Sequence, residues 1–298
     1  MTKMDKAYLE LCDFDYGIYR NYEDLKLMDK LALEDHFLNF GIQEGRAFNS
    51  VKDRKDFVDL VSKEGKMLEI GPLDNPQLNH QSPNYYSLDV FDKEQLTKNY
   101  IDHPNVNKEK IIEPSYVIVN NDYSQIKEKF NTVFSCHSIE HMPCVVTFLN
   151  NIENLLSEDG YGYLIVPDKR YCFDHFKRES EIYDVLQLFY EKNTRPRLSA
   201  NLKMLTQSTH NDCIAHWNND HGEINSENAL LQLYHGILTQ YNTGEYIDSH
   251  VSHFTPQSFM QIVNSLNNLK LINLKIHKIY HTLTNSNEFY VILKKSKK

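Results

Sequence analysis

Apolar residues along this chain recur in two periods. Short apolar runs near residues 67–70, 85–89, 116–119, 131–136 and 161–166 predict buried β-strands. The spacing between them is helical. Residues 53–64 predict a helix leading into the first strand, and residues 144–157 one joining the fourth and fifth. Residues 92–114 are polar and carry Pro104 and Pro114, which predicts a helix and loop closing the second crossover. Thr255 is placed to N-cap a further helix, with Pro256 in its first turn and Phe259, Ile262, Val263 and Leu266 on one face. Strands near 271–278 and 288–294 follow. Strands alternating with helices imply a parallel sheet covered on both faces.

Two stretches stand outside this rhythm. In residues 1–50, Tyr19, Tyr22, Leu25, Leu27, Leu31, Leu33, His36, Phe37 and Phe40 are spaced for short amphipathic helices, with Gly41 as a helix C-cap. Residues 168 to about 250 show no strand pattern and are too many for a structureless loop. They predict a mainly helical insertion over the substrate end of the sheet. The expected organisation is a helical module at 1–50 and a main domain at 51–298.

The first two strands carry the most specific chemistry. Residues 66–76, KMLEIGPLDNP, end an apolar run in Glu69 and Gly71; the second run ends in Asp89, 18 residues after Gly71. This is the layout of a nucleotide-binding βαβ unit, with an acid at the end of strand two for ribose hydroxyls. Gly71 is the only glycine of the turn, and Pro72 and Asp74 follow it. A pyrophosphate would meet a residue without an N–H and a carboxylate, whereas an adenosyl ligand with a positive sulfonium fits better.

These residues resemble motif I of the class I S-adenosylmethionine (SAM) methyltransferases. The stretch from Val119 through Asn120 and Asn121 to Asp122 resembles the end of that family's third strand. FNTVFSCHSIEH at 130–141 resembles its motif IV, and LLSEDGYGYLIVP at 155–167 its turn into strand five. The resemblance implies a Rossmann-like, mostly parallel α/β sheet of seven strands with the last antiparallel. It implies SAM as cofactor, with Glu69, Gly71 and Pro72 at its amino-acid end, Asp89 on the ribose, Asp122 on the adenine, and Ser135 and His137 lining the pocket.

Three later segments, PDKRYCFDH at 167–175, HNDCIAHWNNDHG at 210–222 and HVSHFTP at 250–256, resemble a methyltransferase group from bacterial capsule and surface-glycan clusters. Residues 16–46 resemble a small helical module found beside bacterial glycan-processing domains, although Ala32 lies four residues before His36 where that pattern has three. Together these imply O-methylation of a sugar hydroxyl or phosphate-type oxygen on a small-molecule or nucleotide-linked glycan precursor. N-methylation of an amino sugar and a non-catalytic partner subunit are the alternatives.

Composition narrows the partners. A net charge of −9 and a pI near 5.9 disfavour a nucleic-acid substrate. The basic C-terminus, Lys294, Lys295, Lys297 and Lys298, reads as a solvated tail. Five cysteines with no C-x-x-C pair read as free thiols of a reducing compartment. With neither a signal peptide nor a long apolar run, the expectation is a cytoplasmic protein with no membrane span.

Methyl transfer to a hydroxyl requires alignment and a proton acceptor. Six of the 14 histidines fall between His210 and His253. The candidates at the acceptor site are His137, Asp168, His216, His221 and His253. Either His216 or His221 is a base oriented by Asp212 or Asp220, or His210, Asp212, His216 and His221 ligate a divalent metal, or the cluster holds an irregular lid together. Glu140 reads as a helix-end acid, Lys169 and Arg170 as partners for a phosphate or carboxylate, and Trp217 as a sugar platform or a buried ring.

Overall fold

The computed structural model describes residues 3–296 apart from 103, 119–121, 225 and 245. The chain opens with α1 (Lys3–Leu11), α2 (Tyr16–Tyr19) and α3 (Lys30–His36), the last running into a π-helical turn at Phe37–Gly41. Next come α4 (Arg54–Asp59), β1 (Met67–Ile70), β2 (Tyr85–Asp89), α5 (Lys93–Asn99) and β3 (Tyr116–Val117). β4 (Phe130–Cys136), α6 (Val145–Leu155) and β5 (Leu156–Pro167) complete the first part of the sheet. The insertion holds α7 (Ile182–Tyr190), α8 (Leu198–Thr206), α9 (Cys213–Trp217) and α10 (Ser226–Thr243). The chain then returns through α11 (Pro256–Asn268), β6 (Leu274–Tyr280) and β7 (Glu288–Lys295).

The sheet has seven strands in the order β3-β2-β1-β4-β5-β7-β6. β7 runs antiparallel to β5 and β6, and the other pairings are parallel. This is the Rossmann-like α/β architecture expected from the sequence, including the antiparallel last strand. Its consequence is positional. β1, β2, β4 and β5 all end at one edge, and the antiparallel β7 begins there, with Glu288 opposite Pro167. Open α/β sheets bind ligands along such an edge.

Both faces of the sheet are covered. α6 buries Val145, Val146, Phe148, Leu149, Ile152 and Leu155 against one face, and α11 adds Phe259, Ile262, Val263 and Leu266. α11 starts as expected: Thr255 accepts from the Ser258 N–H while the Ser258 hydroxyl accepts from the Thr255 N–H. On the other face Phe57 of α4 stacks on Tyr290 at 4.8 Å, beside Tyr163 and Tyr280. The N-terminal helices join the first of these cores through Leu9, Cys12, Tyr19, Leu33 and Phe37. Asp13 bonds Tyr280 at 2.7 Å and also Lys278, which fixes α1 to β6.

Three local expectations are corrected. Gly41 is not a left-handed cap; it closes the π-turn, and a Cβ there would lie 1.9 Å from the Tyr19 hydroxyl. The left-handed position is Gly45, at φ +63°. β5 begins at Leu156 rather than 161, because Gly160 lets it approach the Phe130 carbonyl, which would lie 2.8 Å from any Cβ. Lys294 and Lys295 belong to β7, where they reach the Tyr161 hydroxyl and the Leu156 carbonyl; Lys297 and Lys298 lie outside the described residues. Among the described residues no helix is long and apolar enough to cross a membrane.

Candidate functional site

At the end of β1 the chain turns through two left-handed residues, Gly71 at φ +64° and Leu73 at φ +48°. The space beside Gly71 is open: a Cβ there would meet only Ser138 Oγ, at 3.7 Å. The Gly71 N–H donates to the Leu88 carbonyl at 2.9 Å, so this turn lies against the end of β2. Pro72 is buried beneath it. Glu69 is 1% exposed, and its carboxylate accepts from the backbone N–H of Gln77 (2.7 Å) and Leu78 (3.2 Å) and from the Tyr85 hydroxyl (3.1 Å). Burial pushes its pKa up to about 7 against the pull of these donors. Glu69 therefore shapes the loop beside the pocket.

Asp89, at the end of β2, accepts from the Val90 N–H at 2.7 Å. Burial raises its pKa, opposed by the Val90 and Phe91 backbone. The apolar side chains of Val90 and Phe91 stand exposed beside it, a feature the sequence reading passed over. Asp122 is exposed and bonds the Ser124 N–H at 2.9 Å, holding its own turn. The rest of that expected motif, Val119, Asn120 and Asn121, lies outside the described residues. Ser135 is buried in β4, paired with Ile70 and Leu164.

After β4 the chain turns at His137, whose φ of +49° is uncommon for a residue with a side chain. Its Nε2 lies 2.6 Å from Glu288 Oε1, and Glu288 is also paired with Arg54. Burial lowers the His137 pKa, but Glu288 and Glu140 outweigh it and the net shift is upward. Burial likewise raises the Glu288 pKa, but His137 and Arg54 bring it down to about 2. The neighbouring carboxylates thus favour the protonated imidazole at His137.

Glu140 is 1% exposed, and neither carboxylate oxygen has a hydrogen-bond partner. Its nearest charge partners are His137 Nδ1 at 3.6 Å and His141 Nε2 at 3.9 Å. The insertion closes over this point. Val251 and Ser252 donate their N–H groups to the Glu140 carbonyl at 2.7 and 3.2 Å. Asp248 meets His141 Nδ1 at 2.8 Å, and the His250 ring packs 4.5 Å from that of His141. Glu140 and His141 are thus part of the site and not merely a helix-end turn. The sequence signal was there, since both follow a strand that ends at the ligand edge, but the partners lie more than 100 residues away.

Three expectations about the segment after β5 are corrected. Asp168 is fully buried, and its oxygens accept from Arg170 (2.6 and 2.9 Å) and from the Thr282 hydroxyl (2.7 Å). With the Arg170 N–H at 3.1 Å as a fourth donor, its oxygens are taken up in holding the turn after β5. Arg170 is consumed by the same pair, and Lys169 donates to the His175 carbonyl at 2.7 Å, so neither offers itself to a phosphate. Trp217 stacks on Tyr171 at 3.9 Å and donates to the Ser286 carbonyl, leaving no sugar platform on that face.

The histidine cluster is real, with a different membership. His210 has both ring nitrogens engaged, with the Asp220 carbonyl and the Asp212 N–H. The Asp212 carboxylate caps α9 by accepting from the Ala215 N–H. Neither completes a metal set. His175 takes their place: ligand atoms of His175, His216 and His221 lie within 4.8 Å of one another. Within this trio His216 Nδ1 meets His221 Nδ1 at 3.0 Å, and His216 Nε2 meets the His210 carbonyl at 3.2 Å. The rings stack, His175 on His221 at 3.7 Å and His210 on His216 at 4.3 Å. Burial lowers the pKa of both His175 and His216, and neighbouring imidazoles push the same way. Among the described residues no hydrogen bond or ring contact joins this stack to His137.

His253 stands apart from that stack. It is 6% exposed, and its Nε2 has no partner. Burial brings its pKa down to about 4, so the imidazole is neutral near pH 7. It lines a cavity with Arg178, Ser180, Arg197, Lys203 and Val251. That cavity lies inside the insertion, beside the segment that clamps Glu140.

No family model and no curated protein matches this chain. Among solved structures it is similar to the CcbJ methyltransferase from Streptomyces caelestis at 8% identity and a TM-score of 0.42, over 83% of this chain and 98% of that one. It is similar also to an S-adenosylmethionine-dependent methyltransferase from Clostridium acetobutylicum ATCC 824, at 10% identity and a TM-score of 0.40 over 82% and 91% of the two chains. The plantazolicin methyltransferase BamL, solved with a triazolic desmethylPZN analog and SAH, is similar at 10% identity and a TM-score of 0.40 over 80% of each. At this distance the likeness is one of overall shape.

Proposed function

We propose that this chain is a SAM-dependent methyltransferase acting on an oxygen of a small glycan precursor that carries a phosphate or other anionic group. The observation that carries the reading is the pairing of an open left-handed turn at Gly71 with the desolvated carboxylate of Asp89 on the adjacent strand end. That pair fits an adenosyl ligand: the turn has room for its amino-acid end, Asp89 suits the ribose, and Val90 and Phe91 offer an apolar surface to the base. Bound SAM supplies a methyl group on a sulfonium leaving group.

The protein's own residues do the rest. Glu69 fixes the loop that follows the Gly71 turn, and Glu288 holds His137 in the turn after β4. Arg178, Arg197 and Lys203 line the acceptor cavity together with Asp184; Arg178 is paired with Asp184 and Arg197 with Glu191, so Lys203 is the cation we assign to an anionic group. The neutral His253, which lines that cavity and whose buried Nε2 has no partner, is our candidate to take the proton of the acceptor hydroxyl. Capsule and surface-glycan precursors are the acceptor class that the segments at 167–175, 210–222 and 250–256 support. Five free cysteines are in keeping with a cytoplasmic site of action, and residues 1–50 are read as a docked module.

Calorimetric titration with S-adenosylhomocysteine (SAH) tests the cofactor. Saturable micromolar binding is expected, weakened roughly 10- to 100-fold in Asp89→Ala, the cost of one charged hydrogen-bond pair. Methyl transfer to phosphate-linked sugars is expected to fall about 10²- to 10⁴-fold in His253→Asn. No SAH binding overturns the assignment. SAH binding without transfer to any such sugar favours a non-catalytic partner.

A further inference from the structure

We propose that Glu140, His141 and His250 form a binding site for one divalent cation at the acceptor side of the sheet edge. The first support is the carboxylate itself. Glu140 is 1% exposed, and both its oxygens lack a hydrogen-bond partner. A buried carboxylate left so is costly, and buried charges are ordinarily paired or bound to metal. Its ring neighbours at 3.6 and 3.9 Å are too far to hydrogen-bond. The 3.9 Å from His141 Nε2 is a distance an ion can bridge, because two ligands each about 2.1 Å from an ion lie roughly 3–4 Å apart. One ligand atom from each of Glu140, His141 and His250 falls within 4.8 Å of the others.

The second support is what lies behind the two rings. His141 Nδ1 meets Asp248 at 2.8 Å, and His250 Nδ1 meets Asp174 at 2.5 Å. Each carboxylate faces Nδ1 and leaves Nε2 as the nitrogen on the other side of the ring, the outer-shell arrangement of metal-ligating histidines. Asp174 is itself fixed by the buried Lys177. The geometry is clamped further by the Val251 and Ser252 N–H groups on the Glu140 carbonyl, which bring the His250 segment to β4. The stack of His175, His216 and His221 lacks these features. Its nitrogens bond one another and backbone carbonyls, and no carboxylate stands behind them.

One carboxylate and two imidazoles leave open positions on a Mn²⁺-, Fe²⁺- or Zn²⁺-sized ion. An ion held there would offer those positions to an acceptor oxygen and lower its pKa. This role rests on the proposed methyl-transfer reading; the binding itself does not.

The test is Mn²⁺ titration of the chelator-stripped full-length protein, followed by the electron paramagnetic resonance of free Mn²⁺. About one ion per chain is expected. Affinity should drop at least tenfold in Glu140→Gln and in His250→Asn, and be unchanged in His216→Asn. Thermal unfolding of the same proteins guards against misfolding, since Mn²⁺ should raise the Tm of the wild type and not of Glu140→Gln. Absence of Mn²⁺ binding up to millimolar concentrations overturns the site, as does binding that survives Glu140→Gln and is lost in His216→Asn. SAH titration of the same samples separates the two ideas: Mn²⁺ bound without SAH sinks the methyltransferase reading alone, and SAH bound without Mn²⁺ sinks the cation site alone.

Discussion

Two groups of histidines sit on either side of residues 174–175, and they are built on opposite plans. At the sheet edge, His137, His141 and His250 are each backed by a carboxylate, and an unpartnered carboxylate lies among them. In the lid, His175, His210, His216 and His221 stack on one another and bond mainly to backbone carbonyls. The first plan polarises its rings and leaves a buried carboxylate without a hydrogen-bond partner. The second uses flat rings as packing units. Density of histidine along the chain singled out the second group, whereas the electrostatic partners single out the first.

The contrast is broken most forcefully at Asp174. It pairs with Lys177, whose side chain is fully buried, and with His250. Asp174→Ala leaves that ammonium uncompensated, and urea unfolding should show a loss of about 3–5 kcal/mol. A loss below about 1 kcal/mol would mean the edge group is no more tightly built than the lid.

Glu69 gives a pH signature of the edge. Its folded pKa, near 7, stands above the ordinary 4.5, so the folded state holds the proton more tightly. Its contribution to stability is therefore complete below about pH 4.5 and lost as pH rises through 7. The difference in unfolding free energy between wild type and Glu69→Ala should shrink across that window, by about 3 kcal/mol. A difference that grows with pH would show that the three donors outweigh burial.

The lid should respond in stability before chemistry. His216→Asn removes one ring from the stack and is expected to cost about 1–2 kcal/mol, with turnover changed only a few-fold. A loss of turnover beyond about 100-fold, with the Tm unmoved, would return His216 to the reacting atoms. The smallest effect is at Asp212: Asp212→Ala deletes the cap of α9 and should cost about 1 kcal/mol in the same unfolding experiment.

The fold was legible because its signals are local. Apolar runs fixed the strands, and the Thr255-Pro256 start with its buried face fixed α11. The acids at strand ends were legible for the same reason. What escaped depends on distant partners. Asp168 read as a free acid because Thr282, which fills it, is 114 residues away. His175 was missing from the metal set because the local spacing in HNDCIAHWNNDHG suggested a complete one, while the chain folds Arg170 to His175 back over it. Glu140 read as a helix-end acid because His250 and Asp248 arrive only with the return of the insertion.

Asp174 and His175 are neighbours in sequence and belong to different groups. Asp174 grips His250 over Glu140, and His175 lies flat on His221 in the lid. The two groups therefore share a single latch. Any motion that lifts these two residues to admit an acceptor unseats both groups together, and any motion that restores one restores the other. Such a latch ties the two halves together: the sheet edge cannot be opened while the lid stays assembled.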